Sequence, residues 1–319
     1  MGNPKHSESR AKAKQDRLND TDFYPCALPK LAPNRLRLLL MRSGETVNRL
    51  DRHFIDKAFG SDHYNFINCN QNLLPPGLTR DPQHYKDDDY STVSSAFMDF
   101  SIGKYMRKIG LTPDIVFSSP AFRCLQTAAT VLAGCEESKV KLTVEPGLFE
   151  PMGFYEECPK FIDPRRSKFP NPIDERKPIV SLETLKTACR IESTNSFYHR
   201  IGSVIRRILD SLRADTECTV LIVTHAPVID GIIRYMMRMF CPIKYAEIVR
   251  CGIAYPFHSI VTLEREIGRT AGRKSRHWAL NPFIFPPNYS PNFELHPKIP
   301  THRPVFGEKK RTKTNSTRN

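Results

Sequence analysis

Leu36-Arg37-Leu38-Leu39-Leu40-Met41, followed directly by Arg42-Ser43-Gly44-Glu45-Thr46, decides how the rest of the chain is read. The first six residues form a short apolar run with no helical period, the pattern of a buried strand. The residues after them are polar and include a glycine, so the chain turns there. A polar loop at the carboxyl end of a buried parallel strand is where open α/β sheets place their ligand sites.

Two more units of the same kind follow. Pro113-Asp114-Ile115-Val116-Phe117-Ser118 reads as a second strand, and Ser119-Pro120 opens a helix from Ala121 to about Ala133 that ends at Gly134. Thr219-Val220-Leu221-Ile222-Val223-Thr224 is the strongest strand signal, and His225-Ala226-Pro227 leads from it into a helix from Val228 to about Phe240. Between them, Ser91 or Thr92 caps a helix that Gly110 terminates. Val140–Val144 is a third strand, and Phe197, Ile201, Val204, Ile205, Ile208 and Leu212 mark one face of a long helix. Tyr255–Leu263 and Trp278–Leu280 read as edge strands. Strands alternating with helices predict a three-layer α/β/α fold, a mostly parallel sheet with helices on both faces.

The chain has 319 residues, 39% of them hydrophobic, enough for one large domain. That domain is expected over residues 31–285, with inserts near 51–89 and 151–181, the second read as a lid over the site. Residues 1–30 read as a disordered basic tail, and 286–319 as a Pro-rich tail ending in the basic run Lys309-Lys310-Arg311-Thr312-Lys313. Nine cysteines are scattered without a C-x-x-C pair or zinc spacing, which fits a reducing compartment. The amino terminus has no apolar signal region, and no run is long enough to span a bilayer. A cytoplasmic or nuclear location is therefore expected. The net charge of +14 is read first as solvated lysines and arginines, and second as attraction to anions.

The three polar loops carry residues suited to phosphate: Arg42 and Ser43, then Ser118-Ser119-Pro120-Ala121-Phe122-Arg123, then Thr224-His225. A phosphoryl group offers up to two charges and three acceptor oxygens, which guanidinium forks and strand-end donors match. Each piece alone is a weak signal. In this order, with Ser-Ser-Pro-Ala-x-Arg-x-x-Gln-Thr-Ala, Val-Thr-His-Ala and Val144-Glu145-Pro146-Gly147-Leu148-Phe149-Glu150, they resemble the signatures of the histidine phosphatase superfamily, which has the phosphoglycerate mutase-like fold. The resemblance runs from about Arg35 to about Leu263, and is strongest to the Sts-type protein-tyrosine phosphatase domains. Counterparts of the ubiquitin-binding and SH3 modules found upstream in those proteins are not expected in the residues ahead of the match.

The resemblance implies that Arg42 and Arg123 bind phosphoryl oxygens, with Asn48 where mutase-like members place a phosphate-binding Asn. It implies that His225 steadies the charge developed in transfer and that Glu150 protonates the leaving oxygen. Ser43 stands at the position of the nucleophilic histidine, and Thr46 where Sts-type domains carry an Arg. A serine hydroxyl needs a base to become nucleophilic near neutral pH, a part His225 could take. The phosphoserine ester it would form is far harder to clear than a phosphohistidine. The sequence offers no metal cluster to activate water instead, and no cofactor is implied. The reading is a pseudophosphatase whose pocket binds phosphate with little or no turnover. Two others stand beside it: a working phosphomonoester or protein-tyrosine phosphatase using Ser43 or water, and a nuclear interaction protein contacting nucleic acid through its basic tails. The expected partners are a phosphorylated ligand or phosphoprotein, a second copy of the chain as a homodimer, and nucleic acid at the tails, with no membrane.

Overall fold

A computed structural model of the chain describes residues 28–59, 80–165, 169–212, 216–239, 244–267, 269–270, 273–274, 278–286 and 289. Most of both tails, the middle of the first insert and the basic run at Lys309–Lys313 lie outside the described residues.

Six strands form one sheet: β1 (Arg35–Arg42), β2 (Ile115–Ser118), β3 (Leu142–Val144), β4 (Cys218–Thr224), β5 (Ile260–Glu266) and β6 (Ala279–Leu280). Their spatial order is β3-β2-β4-β1-β5-β6. The first four run parallel, with β1 against β4 in the register Leu36↔Cys218 through Arg42↔Thr224. β5 returns antiparallel along β1, and β6 antiparallel along β5. Tyr255–Leu263 was expected to be an edge strand. Instead β5 lies inside the sheet, because β6 covers its far side.

The pleat of β1 divides the core. Leu36, Leu38 and Leu40 face one side, where they meet α3 (Thr194–Ser211), α4 (Ala226–Met236) and α5 (Tyr245–Ala254). Leu39 and Met41 face the other, against α1 (Val93–Lys108) and α2 (Phe122–Cys135). The sheet is thus buried on both faces, as its continuous apolar runs require. Five of the six apolar residues expected on α3 are fully buried, and Leu212, beyond its end, is half-buried. The helix at 245–254 has no counterpart among the sequence expectations, although its buried Ile248, Cys251 and Ala254 keep helical spacing.

Several boundaries move for physical reasons. Thr92 caps α1 by accepting a hydrogen bond from the Ser95 amide at 3.0 Å. At its other end, Gly110 has φ +72°, and the Leu111 amide reaches back to the Met106 carbonyl at 2.8 Å, closing the helix as expected. Gly134 does not end α2. That end falls at Glu136, in the left-handed region at φ 61°. Gly134 instead lies against α1, where a Cβ would come within 2.2 Å of the Phe100 carbonyl oxygen, and Gly103 meets the Val131 carbonyl at 2.1 Å in the same sense. The two backbones touch because neither glycine has a side chain. Gly103→Ala is expected to lower stability by about 2–3 kcal/mol in urea unfolding, since a backbone carbonyl cannot move aside. α4 begins at Ala226, two residues before the expected Val228, because Pro227 is tolerated in a first turn.

The inserts also differ from expectation. The first contains a helix at Phe54–Phe59 and a 3₁₀ turn at Pro82–Tyr85, packed through Phe54, Tyr85 and Tyr90 on Phe122. Among its described residues, the second touches the cleft through Phe154 and Tyr155 but does not close over it as a lid. It runs along the free edge of β3, with the Leu142 amide bonded to Pro172 and the Asp174 amide bonded to Leu142. The buried carboxylate of Glu145 ties it down, accepting from the amides of Gly147, Ile179 and Val180 at 2.9, 2.6 and 3.0 Å.

Candidate active site

The carboxyl ends of β1, β2 and β4 are stitched together by backbone bonds. The Ser43 amide donates to Thr224 at 2.9 Å, and the Ser119 amide to Val223 at 3.0 Å. His225 leaves β4 in an extended conformation as the N-cap of α4. A cleft of about 770 Å³ opens at these ends, and it is lined by all six site residues expected from sequence: Arg42, Ser43, Asn48, Arg123, Glu150 and His225.

The turn after β1 rests on a buried network. The Gly44 amide donates to Thr127 Oγ1 at 3.1 Å, and that hydroxyl donates to Asp99 Oδ2 at 2.9 Å. The other carboxylate oxygen of Asp99 pairs with His258 Nδ1 at 2.9 Å. Burial raises the Asp99 carboxyl from its ordinary value, and its bonds with His258 and Thr127 oppose that rise. Gly44 is required here, since a Cβ would fall 1.7 Å from Ser95 Oγ and 2.7 Å from His258 Cε1.

Arg42 is held by the last turn of α5 and the residues that follow it. Its Nη1 donates to the carbonyls of Gly252 and Tyr255 at 2.9 and 2.5 Å, and its guanidinium lies 4.0 Å from the ring centre of Phe257. Burial lowers its pKa to about 10, which leaves it cationic at neutral pH. Arg123, in the first turn of α2, is engaged on both terminal nitrogens. Nη1 donates to Asp89 at 3.2 Å, and Nη2 to Glu150 at 2.5 Å and to His225 Nδ1 at 3.2 Å.

Those bonds fix the state of His225. An arginine has only donors, so Nδ1 accepts and Nε2 carries the hydrogen, donating to Ser119 Oγ at 2.8 Å. Burial pushes the imidazole down to about 3 against the pull of Glu150, so His225 is neutral. Glu150 is the reverse case. Burial opposes its charge, but its place beside Arg123 and Arg42, with the Tyr155 hydroxyl donating at 2.5 Å, holds it below the usual carboxylate range. Asp89 is raised by burial, with Arg123 and the Thr46 hydroxyl opposing. Among these inner groups two guanidiniums therefore face two carboxylates.

Asp89 and Tyr155 were not expected at the site. Asp89 belongs to the acidic run Asp87-Asp88-Asp89, which stands just ahead of a helix cap and could have been flagged on that ground. Nothing in the sequence singles out Tyr155. Of the described residues in 151–181, only Phe154 and Tyr155 line the cleft, whereas the first insert supplies Arg52, Lys86, Asp87 and Asp89. Among the described residues, no group of three or more His, Cys, Asp or Glu is placed to hold a metal ion.

A three-layer α/β/α sheet with arginines and a histidine at the parallel strand ends is the architecture of a phosphoryl-handling fold. The chain belongs to the histidine phosphatase superfamily (branch 1), whose family model matches residues 101–270. The match takes in Arg123, Glu150 and His225, while Arg42 and Ser43 lie ahead of it. The chain is 28% identical over 256 residues to the ecdysteroid-phosphate phosphatase of Drosophila melanogaster, covering 78% of this chain and 33% of that protein. It is 27% identical over 212 residues to human ubiquitin-associated and SH3 domain-containing protein A, covering 64% of this chain and 32% of that protein. The chain thus spans about a third of the length of these relatives. A crystal structure of the Bombyx mori ecdysone phosphate phosphatase with tungstate shares the fold at TM-score 0.65 and 22% identity, covering 79% of this chain and 94% of that one. Sts-type relatives are therefore among its homologues.

Proposed function

We propose that this member of the superfamily holds a phosphorylated group in the cleft without turning it over. The observation that carries the reading is the surroundings of Ser43, which stands where the family resemblance puts the nucleophilic histidine. Its hydroxyl pairs with the thiol of Cys124, which burial pushes up to about 12. His225 is the base to which Ser43 would have to give its proton. Its Nε2 already carries a hydrogen, and its Nδ1 accepts from Arg123. No base is thus poised to activate the serine. Glu150, in the place of the proton donor, is held as a carboxylate by Arg123 and Tyr155. A general acid at neutral pH needs the opposite shift. The cations at the strand ends remain, and they support binding.

The test is hydrolysis of para-nitrophenyl phosphate alongside calorimetric binding of phosphotyrosine. The natural chain is expected to bind without releasing nitrophenol, and Ser43→His to release it at a measurable rate. Turnover by the natural chain that is lost in Glu150→Gln would overturn the reading in favour of a working phosphatase. A natural chain that binds no phosphotyrosine would leave a scaffold fold with an unused pocket.

A further inference from the structure

The carboxylate of Asp89 does not reach Arg123 by chance. The backbone that follows it is pinned to the turn after β1. The Val47 amide donates to Tyr90 at 3.0 Å, the Thr92 amide donates to Glu45 at 3.0 Å, and Thr46 and Ser91 form a β-bridge. The neighbouring Asp88 is buried and accepts from the Phe122 amide at 2.7 Å and from Arg80 at 3.0 Å. That bond ties the acidic run to the first turn of α2, one residue from Arg123. Asp89 itself is 9% exposed, lines the cleft, and takes one terminal nitrogen of Arg123 while the Thr46 hydroxyl supports it.

An incoming phosphoryl oxygen needs the same guanidinium fork that Asp89 and Glu150 already fill. Binding a dianion beside two buried carboxylates adds repulsion in a site of low dielectric. We propose that Asp89 is a built-in counter-anion of the phosphoryl clamp, a specificity-determining residue that lowers the cleft's affinity for dianionic phosphate by competing for Arg123. This rests on the reading of the cleft as a phosphate holder.

The experiment is calorimetric binding of orthophosphate to the full chain, comparing the natural protein with Asp89→Asn and with Glu183→Gln. The last removes an exposed charge outside the cleft. The amide keeps the shape of the side chain and can still accept from Arg123 and Thr46, while the negative charge is gone. Asp89→Asn is expected to bind orthophosphate about tenfold more tightly or better, and Glu183→Gln within about twofold of the natural chain. Asp89→Ala provides a second variant, with the same direction expected, and melting curves establish that each is folded. Equal or weaker binding by both Asp89 variants overturns the proposal and leaves the phosphate-holding reading in place. Binding by the variants but not by the natural chain upholds the proposal and removes that reading for the natural protein. No binding by any of them removes both.

Discussion

Arg123→Ala is expected to lower the unfolding free energy at pH 7 by about 3–5 kcal/mol and to abolish orthophosphate binding. The loss in stability exceeds that of a surface ion pair because Asp89 and Glu150 stay behind. They are 9% and 19% exposed, and each loses its guanidinium. Breaking one side of a buried pair leaves uncompensated charge, which is the expensive case. The pH dependence separates this from simple loss of packing. In the natural chain the folded pKa of Glu150 lies below its ordinary 4.5. Its contribution is therefore fully present above pH 4.5 and is lost as pH falls toward the lowered folded value. In Arg123→Ala burial prevails: Glu150 moves above its unfolded value, and Asp89, already raised by burial, rises further. The variant then gains stability as pH falls, because protonation removes the stranded charges. Urea unfolding at pH 7.5 and pH 5 reads this directly: the gap to the natural chain narrows at the lower pH. A gap of the same size at both pH values would mean that packing, not charge, accounts for the loss.

The second large effect lies beneath the turn after β1. Asp99→Ala is expected to destabilise the chain by about 3 kcal/mol, because the Thr127 hydroxyl and His258 Nδ1 both lose a buried acceptor. Thr127 also receives the Gly44 amide, so the turn that carries Ser43 loses its support. Asp99→Asn retains one acceptor oxygen and should fall about midway between the two in urea unfolding. Phosphotyrosine binding separates the two roles of the network. It should weaken in the folded fraction of Asp99→Ala, whereas an Asp99 that serves stability alone would leave it unchanged.

The parts of this molecule that were legible in the sequence are those where one physical signal dominates. The runs at Leu36–Met41 and Thr219–Thr224 are apolar on both faces and short, and only a doubly covered strand satisfies them. The cations and the histidine of the cleft follow such strands directly, so placing the strands placed them. The signal failed where tertiary contact overrides local pattern. Phe97 and Phe100 are large apolar residues of α1, yet they are 62% and 42% exposed, while Ser95, Asp99 and Gly103 are buried. That face is polar because it supports the Gly44 turn, and small because α2 presses on it through Gly134. Gly134 itself was read as a helix end because a glycine near a boundary usually is one. Only a neighbouring backbone reveals its other use. Asp89, marked only by its acidic run, and Tyr155, marked by nothing, were missed for a related reason. Each acts through a guanidinium or carboxylate more distant in the chain or turned into the cleft, and neither spacing nor period records that.

The order in which the sheet is numbered along the chain differs from the order in which it can be assembled. β1 lies at the centre, paired from Leu36 to Cys218 on one side and from Arg35 to Glu266 on the other. During synthesis this apolar strand leaves the ribosome first and must wait for nearly the whole domain before either neighbour exists. Pairings so distant in sequence close large loops and form slowly. Until then Leu36–Met41 is an open strand edge of the kind that recruits chaperones or other chains. A nascent chain halted before residue 218 should therefore have no native sheet centre and no cleft, however complete α1 and α2 already are.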